Sequence, residues 1–222
     1  MNKQIKPGFF GRQAAADKSR ILFDILNEQL LSHNQKADIV FIGDSITEYW
    51  DLQLFFSEKG FIVNRGIGGD TTEYILKRSD ADVFQLRPKK IVYLAGINDL
   101  LTISPDLWWR IPGADKDEVI LNIEGNIEKF LRKCMKTEIF LCSVLPTDFC
   151  APYNCFGIEK IIPVVNGKIR ELCQKYNAHY VDYYGVLQDE NALKIRAGLT
   201  FDGVHPNYQG YRIMSAILKK MI

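Results

Sequence analysis

The chain has 222 residues, enough for one sizeable core, and its 47% hydrophobic and 25% charged content is that of an ordinary globular domain. Lysine and arginine number 28 against 27 aspartates and glutamates, a net charge of +1, so there is no electrostatic case for nucleic acid or an anionic membrane as the main partner. The five cysteines, Cys134, Cys142, Cys150, Cys155 and Cys173, include no Cys-x-x-Cys pair, which speaks against a zinc ribbon or a disulfide framework and for reduced thiols, some of them buried.

Residues 1–16 read as an extension or arm without an apolar run of signal-peptide length. No stretch reaches the roughly 18 apolar residues of a membrane span. The chain as given reads as cytoplasmic, or as secreted or periplasmic if an export signal has been removed. Apolar positions at Ile21, Leu22, Ile25, Leu26, Leu30 and Leu31 predict an amphipathic helix over 17–33, with Asp17 placed to cap it. Ile39-Val40-Phe41-Ile42 is a continuous apolar run ending at Gly43, as expected of a strand buried on both faces. Phe61-Ile62-Val63 predicts a second strand and 72–86 a helix. Ile91-Val92-Tyr93-Leu94 predicts a third strand and 116–135 a helix. Ile139-Phe140-Leu141-Cys142 predicts a fourth strand and 158–176 a helix. Tyr180-Val181-Asp182 is a weaker fifth strand, and a last helix starts at Tyr208 with Asn207 as N-cap. This alternation implies one doubly wound α/β domain over 1–222, with a mostly parallel sheet. Two long connections, about 100–115 and 146–157, follow the third and fourth strands, where loops carry function.

Gly43-Asp44-Ser45 directly follows the first strand. That position puts Ser45 at the active edge of such a sheet, beside a helix N-terminus whose N–H groups favour negative charge. A serine there is a nucleophile only with a base at hand; otherwise it is a helix cap. Asp202-Gly203-Val204-His205-Pro206 offers the base and, three residues earlier, an acid to fix the imidazole. Pro206 biases His205 toward extended geometry. His33 and His179, the other two histidines, sit in poorer contexts. Gly66-Ile67-Gly68-Gly69 follows the second strand and Gly96-Ile97-Asn98-Asp99 the third. Each can aim an N–H at a developing oxyanion. Asp44 and Asp99 read as acceptors that hold their turns. Trp108 and Trp109, in the loop after Asn98, are candidate substrate contacts, while Trp50 reads as core.

Gly43-Asp44-Ser45, Gly69, Gly96-x-Asn98-Asp99 and Asp202-x-x-His205 resemble, in order, the four blocks of the SGNH (GDSL-like) hydrolase family. The resemblance spans about residues 37–215. Ile46 stands where the family name expects Leu, a conservative departure. The resemblance implies Ser45 as nucleophile, His205 as base and Asp202 as orienting acid. It implies an oxyanion hole of the Ser45 N–H, the Gly69 N–H and the Asn98 side chain. It also implies a flavodoxin-like three-layer α/β/α sandwich with a five-stranded parallel sheet, and no metal or organic cofactor. The expected partner is a small-molecule ester, with an O-acetylated carbohydrate as leading substrate. Lysophospholipids and thioesters are the alternatives within the same chemistry. Two other classes stay open at this level. A flavodoxin-like nucleotide or flavin carrier fits the fold but leaves Asp202 and His205 unexplained. A metallophosphoesterase would use Asp44, Asn98, Asp99, Asp202 and His205, but lacks a closely spaced histidine pair.

Overall fold

The computed structural model describes residues 4–8, 14–103, 114–134, 137–148 and 157–222. The apolar runs become strands because each can be covered on both faces. They are β1 (Ile39–Gly43), β2 (Ile62–Gly66), β3 (Lys90–Leu94), β4 (Glu138–Cys142) and β5 (His179–Val181). All pairings are parallel, in the order β2-β1-β3-β4-β5. The helices are α1 (Ala14–Ser32), α2 (Ser45–Glu48), α3 (Leu52–Phe56), α4 (Thr72–Asp82), α5 (Ile97–Leu101), α6 (Lys116–Lys133), α7 (Ile158–Tyr176), α8 (Tyr183–Leu187) and α9 (Tyr208–Leu218). On one face α4, α6 and α7 pack in series, with α1 against α4. On the other, α9 packs against α3 and α8. The expected three-layer α/β/α sandwich is therefore the observed fold.

The element boundaries follow local chemistry. Asp115 caps α6 by accepting from the Asp117 and Glu118 N–H groups, and Asn177 ends α7 in the left-handed region with φ 51°. The helix expected over 72–86 stops at Asp82 and continues as a 3-10 turn, Phe84–Leu86, and β2 runs on to Gly66. Among the described cysteines, Cys134, Cys142 and Cys173 are free and buried, as expected.

Helix α1 departs from expectation. It starts at Ala14, so Asp17 lies inside it and pairs with Arg20 at 2.9 Å instead of capping. Its periodic apolar residues Ile21, Leu22, Ile25 and Leu26 are exposed, while Arg20 and Asn27 are buried. The stripe is real, but its direction is reversed. The surface beneath α1 is polar: Arg20 meets Asp70, and the Asn27 side-chain amide donates to the Ala81 carbonyl at 3.0 Å while its oxygen accepts from Arg65 at 2.6 Å. Buried polar groups must be paired, and here that requirement outranks burial of four aliphatic side chains.

An aromatic cluster fixes the last helix to the first strand's exit. Trp50 is buried, stacks on Tyr211 at 5.4 Å and donates to the Ser215 hydroxyl. The Tyr211 hydroxyl donates to the Ile46 carbonyl at 2.8 Å. Burying rings of this size contributes roughly 1.5–3 kcal/mol each. The consequence is positional: the segment leading into α9 is held against α2.

Candidate active site

In register, Gly43 of β1 stands opposite Gly66 of β2 and Leu94 of β3. The three strands thus end level, and the strand order reverses beside β1, where ligands bind in open α/β sheets. The chain turns immediately. Asp44 is the N-cap of α2, its Oδ1 accepting from the Ile46 N–H at 2.9 Å, and Ser45 is the first helical residue. The turn packs so closely on β2 that a Cβ on Gly66 would overlap the Glu48 backbone nitrogen. Burial pushes the Asp44 carboxyl up to about 7, against the pull of its backbone bond to Ile46.

The Asp202–His205 segment is built from short-range bonds. The Thr200 hydroxyl accepts from the Gly203 N–H at 3.1 Å, and the Phe201 N–H donates to the His205 carbonyl at 3.2 Å. Asp202 Oδ1 accepts from the N–H groups of Val204 and His205 at 3.0 and 2.8 Å. Its Oδ2 accepts from His205 Nδ1 at 2.6 Å. Burial works to raise the Asp202 carboxyl, but the His205 side-chain bond and the two backbone bonds outweigh it and hold the group below its ordinary value. With the proton on Nδ1, His205 Nε2 is free to accept, and it lies 2.8 Å from Ser45 Oγ. Asn207 closes the segment by capping α9. A hydroxyl, an imidazole and a carboxylate in this chain can pass a proton from the hydroxyl while the carboxylate stabilises the imidazolium.

The three expected oxyanion donors follow β1, β2 and β3 in turn. Ser45 N–H opens α2 with no carbonyl four residues back to bond. Gly69 sits at φ +79°, in the left-handed region, and is exposed. Its neighbour Gly68 is already engaged, its N–H donating to Glu48 Oε2 at 2.8 Å. The Asn98 side-chain amide gives one hydrogen to the Asp70 carbonyl at 3.0 Å, which leaves the other to a ligand. Asp99 holds the turn behind it, accepting from the Thr72 N–H at 3.2 and 3.0 Å and from the Thr72 hydroxyl at 2.6 Å. Burial lifts the Asp99 carboxyl to about 6 in spite of these bonds.

Arg78, fully buried in α4, ties this edge together. Its Nε donates to Asp70 Oδ2 at 2.6 Å. Its Nη1 donates to the Arg65 carbonyl and to Asp82, and its Nη2 to the Gly43 carbonyl, each at 2.9 Å. Arg20 reaches Asp70 from α1 at 3.2 Å. One guanidinium therefore bridges the end of β1, the end of β2 and the loop that carries Gly69. Through the Asp70 carbonyl it also steadies Asn98.

Ser45, Asp202 and His205 thus meet, while Gly69 and Asn98 follow the neighbouring strands β2 and β3 and are linked through the Asp70 carbonyl. Trp108 and Trp109 lie outside the described residues, as do most of the 100–115 and 146–157 connections. Sequence reasoning missed Arg78, Glu48 and Tyr49. Glu48 and Tyr49 lie one helical turn after Ser45, a spacing that signals proximity. The Tyr49 ring is 5.4 Å from that of His205. Nothing in the sequence marks Arg78, whose partners are scattered over 40 positions. Among the described residues no cluster of His, Cys, Asp and Glu has the arrangement of a metal site, and no helix is long and apolar enough to cross a membrane.

Comparison with known proteins agrees with this arrangement. The model of the GDSL-like Lipase/Acylhydrolase family matches residues 41–213. A solved structure from Streptococcus pneumoniae, a candidate platelet activating factor, superposes with a TM-score of 0.76 at 30% identity, covering 93% of this chain and 92% of that one. A GDSL-like lipase from Bacteroides thetaiotaomicron superposes with a TM-score of 0.69 at 29% identity, covering 88% and 96%. An acetylxylan esterase of Geobacillus stearothermophilus is 24% identical over 174 residues, 74% of this chain and 73% of that protein.

Proposed function

Because the chain belongs to the GDSL-like lipase/acylhydrolase family, whose hydrolase chemistry its fold and site support, we propose that it is a serine esterase that removes short acyl groups, above all acetyl from carbohydrates. The observation that carries the reading is the unbroken chain Ser45 Oγ, His205 Nε2, His205 Nδ1, Asp202 Oδ2, at 2.8 and 2.6 Å.

In this mechanism His205 takes the Ser45 proton as Oγ attacks the ester carbonyl. The carbonyl oxygen becomes an oxyanion between the Ser45 N–H, the Gly69 N–H and the Asn98 side chain. The tetrahedral intermediate collapses, the C–O bond to the alcohol breaks, and His205 gives its proton to the leaving oxygen. Water, deprotonated by His205, then attacks the acyl-Ser45, and the carboxylic acid leaves as Oγ regains its proton. Each of the donors acts on charge that exists only in the transition state.

Support for the acyl and leaving groups is of two kinds. The triad is assembled from short turns at one sheet edge. A fatty chain gains about 0.8 kcal/mol per methylene only where it is shielded. The similarity to an acetylxylan esterase points the same way.

The test has two arms. A fluorophosphonate should add one label per chain, at Ser45, and the Ser45→Ala chain should fold and hydrolyse nothing. In a substrate screen, O-acetylated xylo-oligosaccharides and acetyl or butyryl esters should be cleaved with higher specificity constants than esters longer than about eight carbons. Labelling at another serine overturns the nucleophile; preference for palmitoyl over acetyl overturns the substrate class.

A further inference from the structure

The turn that carries Gly69 is pinned firmly at both ends and lightly at its centre. At its entry the Ile67 N–H donates to the Gly43 carbonyl at 3.0 Å, and at its exit the buried Asp70 is held by Arg78 and Arg20. The Asp70 N–H donates to the Ile67 carbonyl at 3.2 Å, which closes a β-turn around Gly68 and Gly69. Gly69, at φ +79°, fills the left-handed position of a type II turn. Two adjacent glycines have the widest choice of backbone conformation, so that bond alone leaves the centre loose. Among the described residues, the side chain that grips the centre is Glu48, whose Oε2 accepts from the Gly68 N–H at 2.8 Å.

Glu48 is exposed and ends the helical turn that Ser45 opens, so neither the core nor a helix cap accounts for it. The turn it grips runs beside the nucleophile: a Cβ on Gly68 would stand 2.8 Å from Glu48 Oε2 and 3.7 Å from Ser45 Cβ. The N–H groups of Ile67, Gly68 and Asp70 are all engaged. That leaves the Gly69 N–H as the one in the turn without a partner among the described residues. We propose that Glu48 is a positioning residue for the oxyanion donor, its carboxylate holding the Gly68–Gly69 turn against Ser45 so that the Gly69 N–H stays directed at the ester oxygen.

The role rests on the esterase reading and deepens it. Glu48 acts through Gly68 and not on the substrate. Its charge by itself works the other way, because a carboxylate near a developing oxyanion repels it. If charge were all that mattered, removing it would speed the reaction. If the bond to Gly68 matters, removing it slows the reaction, because the freed glycines hold the productive turn only part of the time. The two effects differ in sign, and glutamine, which keeps the oxygen and drops the charge, separates them.

The experiment compares wild type with Glu48→Ala and Glu48→Gln on ethyl acetate. In Glu48→Ala kcat should fall roughly ten- to fiftyfold with little change in KM, less than the roughly 10²–10³ of losing a donor outright. Glu48→Gln should restore most of the kcat, since its amide oxygen still accepts from Gly68. A trifluoromethyl ketone reports on the oxyanion directly: Ser45 Oγ adds to its carbonyl, the proton passes to His205, and an alkoxide remains where the ester's would form. Its inhibition should weaken in Glu48→Ala in step with kcat. Unchanged or raised kcat in Glu48→Ala overturns the proposal, as does a loss confined to KM, a Glu48→Gln chain as slow as Glu48→Ala, or ketone inhibition that does not follow kcat. A second readout needs no turnover. By NMR the Gly68 N–H should exchange with water faster in Glu48→Ala than in wild type or Glu48→Gln, and equal rates in all three overturn the contact. A wild type that cleaves no ester and takes no fluorophosphonate overturns the esterase reading and the oxyanion role with it. An active wild type beside an equally active Glu48→Ala overturns the role of Glu48 alone.

Discussion

The two halves of the site are constructed in opposite ways. Ser45, Gly69 and Asn98 follow the ends of three adjacent strands, and a buried guanidinium reaching from α4 ties the ends of β1 and β2 to the loop that carries Gly69. Asp202 and His205 sit in a partly exposed segment held chiefly by bonds between residues two to four apart, with one long-range bond from the Asp148 N–H to the Gly203 carbonyl. Removing the guanidinium that braces the first half damages fold and chemistry together. Removing part of the second damages chemistry alone. The contrast also explains how the halves meet: the Tyr211–Ile46 bond and the Trp50–Tyr211 stack bring the segment before α9 to the start of α2.

The contrast is sharpest in Asp202→Asn. Asparagine keeps an oxygen for the Val204 and His205 N–H groups but turns an N–H2 toward Nδ1, which forces the wrong tautomer. Turnover should fall by as much as about 10⁴, the loss seen for the equivalent change in a serine protease. The melting temperature should barely move, because partly exposed sites seldom change stability by more than roughly 0.5 kcal/mol. A large drop in melting temperature would break the contrast from this side.

Asn98→Ala comes next. If Asn98 is an oxyanion donor as proposed, the change should lower kcat by roughly 10²–10³ with little change in KM. An effect confined to KM would make Asn98 a substrate-binding group instead.

Arg78→Lys tests the buried half. An ammonium cannot make four directed bonds, so Asp70, Asp82 and two carbonyls lose partners. Breaking a buried pair is worth about 3–5 kcal/mol, or a fall of roughly 10 °C in Tm for a chain of this size. At a temperature where the variant is folded, kcat should fall more than KM changes, because the oxyanion donors lose their alignment. Unchanged melting with unchanged kcat would remove Arg78 from the account.

The last effect is on the pH dependence of stability. Unfolded, Asp44 gives up its proton near 3.8; folded, burial holds the proton to about 7. The folded state binds more protons between those values, so this contribution is full at low pH and is lost as pH rises through 7. Thermal melts of wild type should decline from pH 4 to 8. Asp44→Asn should flatten that decline, leaving the share of Asp99, whose carboxyl is held to about 6, and of Asp70 and Asp24, which burial also raises. An identical slope in the variant would show that Asp44 ionises freely in the fold.

The sequence by itself determined β1, β3 and β4, because an apolar run buried on both faces has one use in a chain of this composition, while β2 and β5, expected over 61–63 and 180–182, lie at Ile62–Gly66 and His179–Val181. It determined α7 to its boundaries, through the spacing of Ile158, Ile162, Val165, Ile169 and Leu172. It also marked Ser45 by its place directly after β1, and Asp202 and His205 by their three-residue spacing. Tertiary structure decided what depends on distant partners. The apolar stripe of α1 points outward because polar residues from α4 and the 66–71 loop lie beneath it. The short helices α2, α3, α5 and α8 span one or two turns, too few for a period to register. Arg78 looks like any helical arginine until the fold brings Gly43, Arg65, Asp70 and Asp82 within reach of one guanidinium. A local bond is fixed by spacing along the chain, whereas a long-range one exists only after the sheet has assembled.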